Sequence, residues 1–234
     1  MSPSGGKWTT AWADALAFVA GLALAWYGHW QTRDLVWSLW LSSLLVGYAM
    51  IVWGAFRPAV QISLGLWQER AQLDGSPWLA MASASLLALL GGLLLLAFFT
   101  VHFGMFHFVH SVFLNLFFPA IPGAPRGGFP GLALYLHVLA AYWPFVLLAA
   151  VAERHAFQLE PEAAKPGGMT GMMAPYRNVV RLHLLIFFFA FASFAKIDNF
   201  AVYAVVYAVY FFPWRLVRRT PAAAAGVPGA GQSG

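Results

Sequence analysis

Three histidines, His102, His107 and His110, stand inside one of the most apolar stretches of this chain. Imidazole can ligate a metal, carry a proton or donate and accept hydrogen bonds. Inside a bilayer it is costly unless it faces a partner, a cavity or a metal, so an intramembrane histidine is a functional lead by default. On one helix His107 and His110 lie ~60° apart and His102 and His110 ~80° apart, so all three fit an arc of ~140°. Along the axis His102 and His110 are separated by ~12 Å. No single ion reaches both at the ~2 Å of a metal–nitrogen bond unless the helix distorts, and Gly104 lies between them as a place for that.

The remaining histidines divide by position. His183 sits about two turns into a later apolar run, His155 at an inner helix end, His137 deeper on the outer side, and His29 beside Trp30 at an interface. There is no cysteine, which removes thiolate sites, disulfides and Cys nucleophiles and leaves imidazole, carboxylate and Met sulfur as ligands. No HExxH and no Glu-x-x-His occurs, and the one carboxylate inside an apolar run is Asp14, so a carboxylate-bridged di-iron centre is disfavoured. Ser83, Ser85, Ser111 and Ser193 lack a carboxylate–histidine pattern that would make one a nucleophile. Three readings stay open. One is a histidine-ligated zinc, copper or iron site, structural or redox-active. The second is a b-type haem held by two histidines from different helices. The third is a non-enzymatic scaffold or partner subunit whose histidines bond across helices.

The elements that must position these residues follow from composition. The 234 residues are 61% hydrophobic and only 9% charged, where a soluble domain carries ~25% charge. The expected class is an all-α, polytopic transmembrane bundle, multi-pass in a cell inner membrane. A net charge of +5 spread over so few charges reads as topology signal and gives no pointer to nucleic acid. The lipid bilayer is the expected partner, with a second membrane protein or a second copy left open.

Apolar runs at 11–30, 35–56, 131–151, 176–195 and 200–214 each have the length or flanks of a span, and several are bracketed by tryptophans. Arg57-Pro58 is expected to stop the second run, and 59–67 then reads as a short interfacial helix. No charge occurs from 78 to 118, ~61 Å of helix and twice the ~30 Å hydrocarbon core. That stretch crosses twice, or once with an Ala/Ser-rich lead-in that bends near Gly91-Gly92. With one crossing there are six spans, and only Arg33, Arg126 and Lys196 of the 13 basic residues fall opposite the rest. Six spans with both termini cytoplasmic is the preferred topology. Residues 1–219 then form a single transmembrane domain, with 220–234 a disordered Ala/Pro/Gly-rich tail. In the last span Tyr203, Tyr207 and Tyr210 share one face.

The run Phe98-Phe-Thr-Val-His102-Phe-Gly-Met-Phe-His-Phe-Val-His110-Ser-Val-Phe resembles the signature of an uncharacterised bacterial integral membrane family, a domain of unknown function. Met172-Met-Ala-Pro175-Tyr176 through Leu182-His183 is similar to that family's second block, a Pro-Tyr followed by Leu-His. The resemblance covers roughly 93–195, with Phe103 where the family has Tyr, Ser111 where it has Gly, and Arg154 before His155 where it has Ser. It marks a divergent member and implies no activity. It does imply that His102, His110, His155 and His183 belong together, with His107 and His137 peculiar to this chain. These four are the expected metal ligands, and His107 the fifth candidate.

Overall fold

The computed structural model describes residues 5–69, 76–121, 123, 128–157, 180, 184–185, 187–192, 194–195 and 200–211. Among them all regular structure is helical, with no strand. The helices are α1 (Gly5–Tyr27), α2 (Thr32–Glu69), α3 (Ser76–Phe117), α4 (Leu132–Ala152), a short 3-10 turn η1 (Arg154–Phe157) and α5 (Phe200–Phe211). The described positions between 180 and 194 are also helical. Three stretches, Thr32–Gln68, Trp78–Phe117 and Leu132–Ala152, are long and apolar enough to cross a membrane.

The junction of α1 and α2 is closed by local chemistry. α1 stops where Trp30 N–H donates to the Ala25 carbonyl at 2.9 Å and His29 N–H to Trp26 at 3.1 Å, with His29 at φ 50. This is a Schellman ending, in which the left-handed residue is usually glycine. At the start of α2, Asp34 accepts from the Gln31 backbone N–H at 2.7 Å, half of a capping box. Its other oxygen accepts from the Tyr142 hydroxyl of α4 at 2.7 Å.

α2 is the central helix. Residues 35–42 are buried at every position, the pattern of a helix enclosed on all sides. α3 and α4 both pack against it, α1 packs on α4, and α3 and α4 make far less contact with each other. The Trp37 indole spans one gap by donating to the Phe118 carbonyl at 2.6 Å.

One expectation about a break is corrected. Arg57-Pro58 does not end the second run, and 59–67 is not a separate interfacial helix; α2 continues through Pro58 to Glu69. A proline removes one backbone bond and strains the turn before it. Here the ring faces outward while Ala59 and Leu66 beyond it are buried and Ser63 bonds Ser85 of α3 at 2.9 Å, so packing carries the helix past the defect. The 78–118 stretch is one continuous helix with no turn at Gly91-Gly92. Gly92 instead lets α3 approach the Ala55 backbone carbonyl so closely that a methyl would clash with it, whereas Gly91 faces open space. A double crossing would need a hairpin that α3 does not contain.

Candidate functional site

The histidine-bearing part of α3 packs on α2 through one face. Phe103, His107, His110, Ser111, Leu114 and Asn115 are buried. That stripe is centred ~140° around the helix from His102. His102 is accordingly exposed, its ring stacked on Phe98 at a centroid distance of 5.6 Å. The ~140° arc allowed by spacing therefore straddles the edge of the packed face. His107 and His110, 1% and 3% exposed, are inside, and His102 is outside.

His107 is bonded at three points. Its Nδ1 lies 3.0 Å from the Phe103 carbonyl, which can only accept, so Nδ1 carries the proton. In the neutral ring Nε2 then accepts from the Ser43 hydroxyl of α2 at 3.2 Å. Its backbone carbonyl receives the Trp40 indole N–H at 2.9 Å. The His110 ring lies 6.2 Å away, centroid to centroid, and Phe103 lies 4.3 Å away on the other side. Gly47 makes room for Phe103, whose ring would meet any side chain there.

A second polar thread links α3 to α4. The single Ser111 hydrogen goes to the Phe108 carbonyl at 2.7 Å, so at 2.8 Å Ser111 accepts from the Tyr135 hydroxyl. The Tyr135 ring stacks on Trp40 at 5.7 Å with an 11° interplanar angle. Beside these residues a cleft of about 410 Å³ opens between the three helices, its walls including Trp40, Leu44, Gly104, His107, Tyr135 and Leu139.

Among the described residues, His155 does not join this cluster. His155 lies in η1, past the far end of α4 from Tyr135, and the helix between Tyr135 and Ala152 alone covers ~26 Å. Its neighbour Arg154 pairs instead with Asp14 of α1 at 2.5 Å, which gives that partly buried carboxylate its counter-charge. His183 lies outside the described residues. His137 on α4 and His29 are exposed. Among the described residues no group of three or more His, Cys, Asp or Glu gathers as a metal site would require. His102 and His155 are therefore not brought together with His110, because helix face separates the first and axial distance the second.

Residues that spacing alone did not single out are Trp40, Ser43 and Tyr135. A tryptophan and a serine three residues apart inside a charge-free run were the available signal, since both need a hydrogen-bond partner when buried. Tyr207, one of the tyrosine stripe, stacks on Phe18 of α1 at 5.2 Å and packs over Gly21; Tyr203 and Tyr210 have no described side chains.

No curated protein and no solved structure matches this sequence. A family model does match, over residues 1–212, a much longer reach than the two motif blocks. The chain belongs to that family, the family of unknown function DUF6498.

Proposed function

We propose that this protein is a six-span, multi-pass membrane protein, both termini on the cytoplasmic side of an inner membrane, acting as a scaffold or partner subunit. The observation that carries the reading is the α2–α3 hairpin. At 38 and 42 residues these helices are ~57 and ~63 Å long. Tilted by ~40°, the upper end of the usual range, α2 still spans ~44 Å against a hydrocarbon core of ~30 Å. We place the extension toward the turn between them, where Leu86, Leu87, Leu89 and Leu90 remain exposed. An apolar surface beyond the bilayer core calls for a protein neighbour. The hydrogen bonds at both ring nitrogens of His107 favour a histidine that joins helices. The continuous α3 favours one crossing by 78–118 and hence six spans.

The chain has no cysteine, so Leu87→Cys adds a single thiol. In native membranes a thiol-reactive cross-linker should shift it to the mass of two copies or of a larger hetero-adduct; a monomer alone defeats the scaffold reading. A reporter after Arg219 should be active only in its cytoplasmic form and one within 121–129 only in its exported form. The reverse at the second position defeats six spans.

A metal centre is the second reading, favoured by one feature. Metal-ligating histidines usually donate their other ring N–H to a carbonyl or carboxylate, and His107 does so to Phe103. With His110 three residues on, the pair could supply two ligands to zinc, copper or iron. His183 is the remaining candidate of the expected set. Elemental analysis of purified wild type should then find stoichiometric metal that is lost in His107→Ala and His110→Ala; equal content in the double variant removes the site. A b-type haem needs histidines on opposite faces of the ring, which His107 and His110 on one helix do not offer. A colourless preparation grown with iron and haem precursor disposes of it.

A further inference from the structure

We infer that the cleft between α3 and α4 is a seat for a single hydrocarbon chain of a bilayer lipid. The inference rests on the membrane reading above and on four features of the cleft itself.

First, the cleft follows from the packing. α3 and α4 each lie against α2 and diverge from one another, so the floor is α2, at Trp40, Leu41 and Leu44. Second, Gly104 keeps it open: a side chain there would meet nothing within contact distance. The volume of about 410 Å³ falls within the ~300–1,000 Å³ of small-molecule sites.

Third, the donors in the lining are already used. Trp40 N–H goes to His107, His107 Nδ1–H to Phe103, and Tyr135 O–H to Ser111. A ligand carbonyl or phosphate would lose its water and find no donor here, a cost of about 1–3 kcal/mol for each unsatisfied group. An alkyl chain has no such requirement. Fourth, the depth is right. Gly104 and His107 lie ~15–20 Å along α3 from its outer end, near the middle of a ~30 Å core where tails and not headgroups reside. The rim residues Leu45, Phe108, Leu136 and Leu139 are exposed, so the cleft opens sideways to that hydrocarbon.

The test uses the full chain reconstituted in phosphatidylcholine vesicles containing a phosphatidylcholine with a mid-chain diazirine. After illumination, peptide mass spectrometry should find lipid adducts on Leu41 and Leu44 at the floor, and on Val101 on the outer face of α3. In Gly104→Phe the floor adducts should fall about tenfold, equivalent to about 1.4 kcal/mol of occupancy, with Val101 unchanged. Leu139→Trp closes the same cleft from α4 and should give the same loss, which guards against misfolding of either variant. Floor residues unlabelled in wild type while Val101 is labelled, or floor labelling equal in both variants and wild type, overturns the seat. Absence of adducts on Val101 as well overturns the membrane reading.

Discussion

Trp40 donates its indole N–H to the backbone carbonyl of His107 across 2.9 Å, while Ser43, three residues further along α2, meets the same histidine's Nε2 at 3.2 Å. One turn of α2 thus grips both the main chain and the ring of one α3 residue. Trp40→Phe removes the indole donor and part of the ring packed on Tyr135 and Trp37. Thermal unfolding in detergent should show a loss of more than about 1 kcal/mol, the usual net worth of a hydrogen bond with the lost packing added to it.

The Ser43–His107 contact should appear as coupling. In a double-mutant cycle of Ser43→Ala and His107→Ala, the interaction energy should be about 0.6 kcal/mol, as for other interhelical bonds in membranes. Strict additivity in unfolding free energies would remove His107 from the helix-joining role.

Adjacent glycines should respond with opposite sign. Gly92→Ala forces α3 away from the Ala55 carbonyl and should destabilise by about 1–3 kcal/mol. Gly91→Ala meets nothing and should stabilise by about 0.5–1 kcal/mol through the lower chain entropy of alanine. Denaturant titration of the two variants checks both signs.

His29 occupies the left-handed position of the α1 ending although its side chain is exposed. His29→Gly should therefore stabilise by roughly 1 kcal/mol, the strain of that conformation for an L-residue, and should leave any bound metal unchanged. Lower stability in the same unfolding assay would show that the imidazole contributes something the backbone geometry does not reveal.

Asp14 and Arg154 are a partly buried pair joining α1 to η1, with side chains 17% and 29% exposed. Removing one charge strands the other, at a cost between those of surface and buried pairs, about 1–3 kcal/mol. Asp14→Ala should show that loss in folded yield and unfolding temperature. The exchange of both charges, Asp14→Arg with Arg154→Asp, should recover part of it.

The all-helical class was legible in the residues: long uncharged runs and tryptophan-bracketed segments read as helices apolar enough to cross a membrane. The end of α1, the start of α2, the end of α3 and both ends of α4 were legible to within a few residues for the same reason, since Arg33-Asp34 and the Pro/Gly loop after Phe118 interrupt those runs. What stayed hidden was orientation. In α3 nearly every position is apolar, and lipid and protein core are equally apolar, so no periodicity separates the face that packs from the face that does not. Spacing placed His102, His107 and His110 on one arc but could not centre it. The packing of Phe103 over Gly47 and the grip of Trp40 and Ser43 set the helix rotation, putting His107 and His110 inside and His102 out. The passage of α2 through Pro58 was likewise a tertiary decision, because the proline's local cost is overcome by burial of Ala59 and Leu66 against a neighbour distant in sequence.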